Sequence, residues 1–77
     1  MRTVLIVEDE QDIADVIAFV LEQDGFDTIV APDGDAALEL FSSGQPDLVV
    51  LDLGLPGTCG LELFHRFRRD APDIPII

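Results

Sequence analysis

The sequence predicts an α/β fold, a parallel sheet with helices on both faces. Three observations predict it. The runs at residues 3–7 and 48–51 are continuously apolar and short, as strands buried on both faces are. Between and after them the apolar spacing shifts to three and four residues, the period of a helix. The two patterns alternate along the chain as β-α-β-α-β-α-β, which calls for parallel strands joined by right-handed crossovers.

The first strand, Thr3-Val4-Leu5-Ile6-Val7, stops abruptly at Glu8-Asp9-Glu10. A helix follows over 11–24, with Ile13, Val16, Ile17, Val20 and Leu21 on one face and Gly25 as its stop. Asp9, Glu10 and Asp12 lie near its start, where the helix dipole favours negative charge. The second strand, about Asp27 to Ala31, is less apolar, as suits a sheet edge. Pro32-Asp33-Gly34-Asp35 is a turn with a capping aspartate. Ala36, Ala37, Leu40 and Phe41 then mark a short helix, ended by Ser42-Ser43-Gly44-Gln45-Pro46. The third strand, Leu48 to Leu51, ends at Asp52. Residues 53–60 hold three glycines and a proline and read as a tight loop. Leu61, Leu63, Phe64 and Phe67 line a third helix that ends near Arg69. Ile74-Pro75-Ile76-Ile77 opens a fourth buried strand.

Composition narrows the function. Sixteen acidic residues face four basic ones, all arginine, for a formal charge of −12. Such a chain repels nucleic-acid phosphates, so direct nucleic-acid binding by this segment is excluded. An apolar content of 48% argues against disorder. No apolar run approaches the roughly 20 residues that span a bilayer, and the amino terminus is not a signal peptide. One cysteine, Cys59, permits no internal disulfide and fits a reducing cytoplasm; no base adjoins it in sequence, so an inert thiol is expected. His65 and the arginines Arg66, Arg68 and Arg69 read as solvated side chains closing helix 3, and the five phenylalanines as core or core edge.

The chemistry is expected at the carboxyl ends of the strands, where open α/β sheets bind ligands. Strand 1 ends in Glu8-Asp9 and strand 3 in Asp52. If the two strands are neighbours, three carboxylates converge, and a cation or a bound proton must relieve their repulsion. Oxygen-only ligands favour Mg²⁺ or Ca²⁺, and an incomplete protein cage favours Mg²⁺ with room for a phosphate. Such a site suits in-line phosphoryl transfer to an aspartate, forming an acyl phosphate.

Three motifs carry a family resemblance: Val-Glu-Asp-Glu at 7–10, Leu-Asp-Leu-Gly-Leu-Pro-Gly at 51–57 and Gly-Leu-Glu-Leu at 60–63. With the 43-residue spacing from Asp9 to Asp52, the chain resembles the receiver domain of two-component response regulators over its whole length. The resemblance implies a flavodoxin-like, doubly wound sheet of order 2-1-3-4-5, of which strands 1–4 and helices 1–3 are present. Residues 1–77 are then a partial receiver, from strand 1 to the start of strand 4. It implies Asp52 as phospho-acceptor, Asp9, Asp52 and the Gly54 carbonyl as ligands of Mg²⁺ (Mn²⁺ as a substitute), and Glu8 acting through a metal-bound water. The implied partners are a sensor histidine kinase and a DNA-binding output domain in a longer chain. The implied role is a cytoplasmic signalling switch, not a turnover enzyme.

Two positions depart from the family pattern: Gly54, where many relatives carry a larger side chain that borders the site, and Cys59, where aspartate is common. The family's threonine or serine at the end of strand 4, its aromatic switch on strand 5 and its lysine after strand 5 would lie beyond Ile77. Without the last helices, Ile13, Val16, Ile17 and Val20 are expected to lose cover, leaving an apolar patch that favours self-association or element swapping. The alternatives are a degenerate or truncated receiver acting only in protein contacts or metal binding, and an aspartate-nucleophile phosphatase. The phosphatase usually has a second aspartate two residues after the first as general acid, and here that position is Gly54.

Overall fold

Parallel pairing of three short strands builds the centre of the molecule. A computed structural model describes residues 2–55 and 60–77. The loop reading for residues 56–59, and with it Cys59, lies outside the described residues. The elements are β1 (Thr3–Val7), α1 (Gln11–Gln23), β2 (Asp27–Ala31), α2 (Gly34–Gly44), β3 (Leu48–Leu51) and α3 (Gly60–Asp70). The strand order is β2-β1-β3, with β1 parallel to both neighbours. This is the flavodoxin-like order expected for strands 1 to 3, with β2 at the edge.

The expected fourth strand is reduced to one parallel bridge, Ile76 opposite Val49. Three backbone hydrogen bonds still hold residues 75–77 against β3: Val49 to the Pro75 carbonyl, Ile77 to the Val49 carbonyl, and Leu51 to the Ile77 carbonyl. With so short a contact the segment lies in the fourth place without forming a regular strand.

Alternation along the strands divides the core into two layers, because successive side chains point to opposite faces. Leu5, Val7, Val49 and Leu51 join Leu63 and Phe67 of α3 and Ala37 of α2 on one face. Val4 and Ile6 join Ala14 of α1 on the other, with Ile17, Ala18, Leu21 and Phe26 packed around them. The helices therefore cover both faces, as the βα alternation requires.

Helix ends follow local chemistry. Asp33 caps α2 by accepting the Ala36 amide at 2.8 Å. The helix runs through Ser42 and Ser43 to Gly44, further than the sequence indicated, and Gln45 ends it in the left-handed conformation (φ 45°). Ser43 stays helical by donating its hydroxyl to the Glu39 carbonyl, a back-bond open to a mid-helix serine. Gly25 (φ 91°) closes α1, its amide donating to the Glu22 carbonyl.

Three side-chain expectations change. On α1 the buried position is Ala14, and Ile17 and Leu21 are only partly covered. Ile13, Val16 and Val20 are exposed, as anticipated for an uncovered helix face. Phe19 is also exposed, at 63%, so not every phenylalanine is core. Arg68 is not a solvated helix end: it donates to the carbonyls of Pro72 (2.9 Å) and Ile74 (2.6 Å) and lies over the Phe64 ring. It clamps the chain leading to residues 75–77 onto α3. Arg69 does face solvent, 3.6 Å from Asp70.

Candidate functional site

Strand register brings the carboxylates together. Val7 lies opposite Leu51 in the β1–β3 pairing, so Glu8 and Asp52 leave the sheet at the same level. The ladder continues one step beyond the strands: the Asp52 amide donates to the Val7 carbonyl (3.1 Å) and the Glu8 amide to the Ala31 carbonyl (3.0 Å). These bonds fix the backbone from which both side chains project. Glu8, Asp9 and Asp52 each offer a carboxylate oxygen, and these oxygens all lie within 4.8 Å of one another. Glu8 and Asp52 are partly buried and Asp9 is exposed.

Local hydrogen bonds orient two of the three. Asp52 Oδ1 accepts the Gly54 amide at 2.8 Å, an Asx-type turn that bends the chain straight after the aspartate. Glu8 Oε2 accepts the Glu10 amide at 3.2 Å. Gly54 thus enters the site through its amide, a contact that its assignment as a carbonyl ligand did not include.

The electrostatics show the cost of the convergence. The Glu10 amide is the largest influence on Glu8 and favours its ionised form. Burial, the negative charge of Asp52, and hydrogen bonding to the side chains of Asp9 and Asp52 act the other way and together prevail. The Glu8 carboxyl is held above its ordinary value of 4.5. The repulsion that raises Glu8 is one that a bound cation would relieve. The donor set, oxygen only and open on its Asp9 side, fits a hard divalent ion that keeps several waters.

Sequence reasoning named all three carboxylates and missed two supports. One is the Glu10 amide on Glu8. The other is Gly60, which is buried at the start of α3 and whose α-carbon faces the Leu53 backbone. The signal for Gly60 was its place in the 60–63 motif, but a close approach across a loop leaves no periodic trace. His65, midway along α3, makes an edge contact with Phe64 and has no part in the carboxylate cluster.

No helix among the described residues is long and apolar enough to cross a membrane.

Residues 4–77 match the family model for the response regulator receiver domain. The chain is 42% identical to the phosphate regulon transcriptional regulatory protein PhoB of Klebsiella pneumoniae, over 99% of this chain and 34% of that protein. It is 44% identical to the sensory transduction protein RegX3 of Mycobacterium tuberculosis, over 100% of this chain and 34% of the relative. The chain therefore spans about a third of the length of these curated relatives. Among solved structures it superposes on the response regulator TrrA of Thermotoga maritima, crystallised with Mg²⁺-BeF, with a TM-score of 0.93 and 37% identity, covering 99% of this chain and 66% of that one. A second structure, TrrA in complex with the histidine kinase ThkA, gives a TM-score of 0.90 at the same identity and coverage. The match along nearly the whole chain, the identity to two longer regulators and the close superposition on TrrA agree, and the chain belongs to the response regulator receiver domain family.

Proposed function

We propose that this chain is the phospho-accepting part of a two-component switch, with Asp52 as the residue that takes the phosphoryl group. The observation that carries the reading is the convergence of Glu8, Asp9 and Asp52 at the carboxyl ends of two adjacent parallel strands. Asp9 and Asp52 would hold Mg²⁺ (or Mn²⁺) directly, the Gly54 carbonyl would complete the set, and Glu8 would hold a metal-bound water. When bound, the ion supplies positive charge against the phosphoryl oxygens. The rest falls to the chain. Asp52 presents Oδ2 as nucleophile, because Oδ1 is engaged by the Gly54 amide. The turn at Leu53–Gly54 bends the backbone away straight after Asp52.

The histidine kinase bound to TrrA supports a sensor kinase as donor, and the regulatory relatives support a DNA-binding output domain in a cytoplasmic regulator. On this reading the protein assists its own phosphorylation and its loss, and has no substrate to turn over. The test is to incubate the intact protein with Mg²⁺ and acetyl phosphate. One phosphoryl group should be gained, on Asp52; an unchanged mass refutes the reading.

We further propose that residues 1–77 are part of a receiver that continues past Ile77. Exposed Ile13, Val16, Phe19 and Val20 on α1 support this, since a wide apolar helix face calls for cover. Residues 1–77 alone are expected to associate or swap elements in sedimentation, and a stable monomer that unfolds cooperatively would contradict that.

A further inference from the structure

We propose that Gly60 is a positioning residue for Asp52, a role that rests on the reading of Asp52 as metal ligand and phospho-acceptor. A β-carbon at position 60 would stand 2.5 Å from Leu53 Cα, 3.0 Å from the Leu53 carbonyl oxygen and 3.1 Å from its carbonyl carbon. All three contacts are backbone, so no rotamer change relieves them. Something must shift, and packing decides which side. Helix α3 is anchored by Leu63 and Phe67, which are 2% and 0% exposed. Leu53 and Gly54 face solvent. We take the exposed tip of the turn, bounded by the buried Leu55 (6% exposed), as the side that gives.

That turn is joined to the acceptor. Leu53 separates Asp52 from Gly54, and the Gly54 amide holds Asp52 Oδ1 at 2.8 Å. Displacing the Leu53 backbone pulls on this bond and turns the carboxylate away from Glu8 and Asp9. The missing side chain at position 60 thus sets where Asp52 points, through contacts that never touch the metal or the phosphoryl group.

Gly44 supplies the control. A β-carbon there would come within 2.9 Å of Ile29 Cδ1, comparable crowding but against the free end of a flexible side chain far from the carboxylates. In the intact protein, Gly60→Ala and Gly44→Ala are compared with wild type. Calorimetry reads Mg²⁺ affinity, amide exchange reads the Gly54 hydrogen bond, and acetyl phosphate reads phosphoryl uptake. Gly60→Ala should weaken Mg²⁺ binding about 10-fold, the scale of lost support around metal ligands. It should also speed exchange at Gly54. Gly44→Ala should move thermal stability alone. A Gly60→Ala protein with wild-type Mg²⁺ affinity and Gly54 exchange overturns the proposal. If the variant unfolds, the comparison is repeated in trimethylamine N-oxide, which favours the folded state; unfolding there assigns Gly60 to the fold as a whole and also overturns it. A wild type without Mg²⁺-dependent phosphoryl uptake sinks the functional reading instead, and Gly54 exchange still decides whether Gly60 aims Asp52.

Discussion

Asp52→Asn is expected to reduce phosphoryl uptake from one group to none while leaving the fold intact. Asparagine keeps the shape of the side chain, and its amide oxygen still accepts the Gly54 amide. It lacks the charge and the nucleophilic oxygen that an acyl phosphate requires. It also removes the negative charge that helps to raise Glu8, so without divalent ions the variant should melt at or above the wild-type temperature. A substitution that abolishes chemistry and does not destabilise separates function from folding. Mg²⁺ extends the test. A ligand that binds only the folded state stabilises it by about 2.7 kcal/mol at a hundredfold excess over its Kd. Wild type should show that rise in thermal unfolding, and both Asp52→Asn and Asp9→Asn should lose most of it. Undiminished phosphorylation of Asp52→Asn would place the acceptor elsewhere.

Phe67→Ala is expected to destabilise the protein by about 3–5 kcal/mol, the usual cost of deleting a fully buried aromatic ring. Phe67 is completely buried and stacks on Phe41 with ring centroids 4.4 Å apart. It joins α3 to the core on the sheet face shared with Leu5, Val49 and Leu63. Domains are stable by only about 5–15 kcal/mol, so a large fraction would go. Urea unfolding of the intact protein should show a lower midpoint with an unchanged slope. A loss below about 1 kcal/mol, well under the range for such deletions, would contradict this and mean that α3 is held by other contacts. The substitution should also reach the site, because α3 carries Gly60 against Leu53.

Much of the molecule could be read in one dimension. The strands ending at Val7 and Leu51 are continuous apolar runs, and an acid directly follows each. The helices appeared through apolar spacing, and Asp33 through its place before one. The side of α1 that faces the sheet was misplaced: the face read from Ile13, Val16, Ile17, Val20 and Leu21 leaves Ile13, Val16 and Val20 exposed, and the buried residue is Ala14. Small Ala14 fits directly against the sheet, while bulkier Val16 and Phe19 stay outside. Arg68 was misread because the dipole argument accounts for a cation at a helix end without knowing where the chain turns next. It turns back beneath that guanidinium, which then finds two carbonyls.

By itself the sequence determined the order and type of the elements, the two buried strands, and the three acids placed just beyond them. These follow from local properties: side-chain periodicity, strand length and the chemistry of turns. Only the tertiary structure decided that β1 and β3 are neighbours in a register setting Val7 against Leu51. That register brings oxygens from residues 43 positions apart to within 4.8 Å. Pairing register, the raised Glu8 and the close approach of Gly60 to Leu53 all depend on distances between segments remote in the chain, and such distances exist only once the chain has folded.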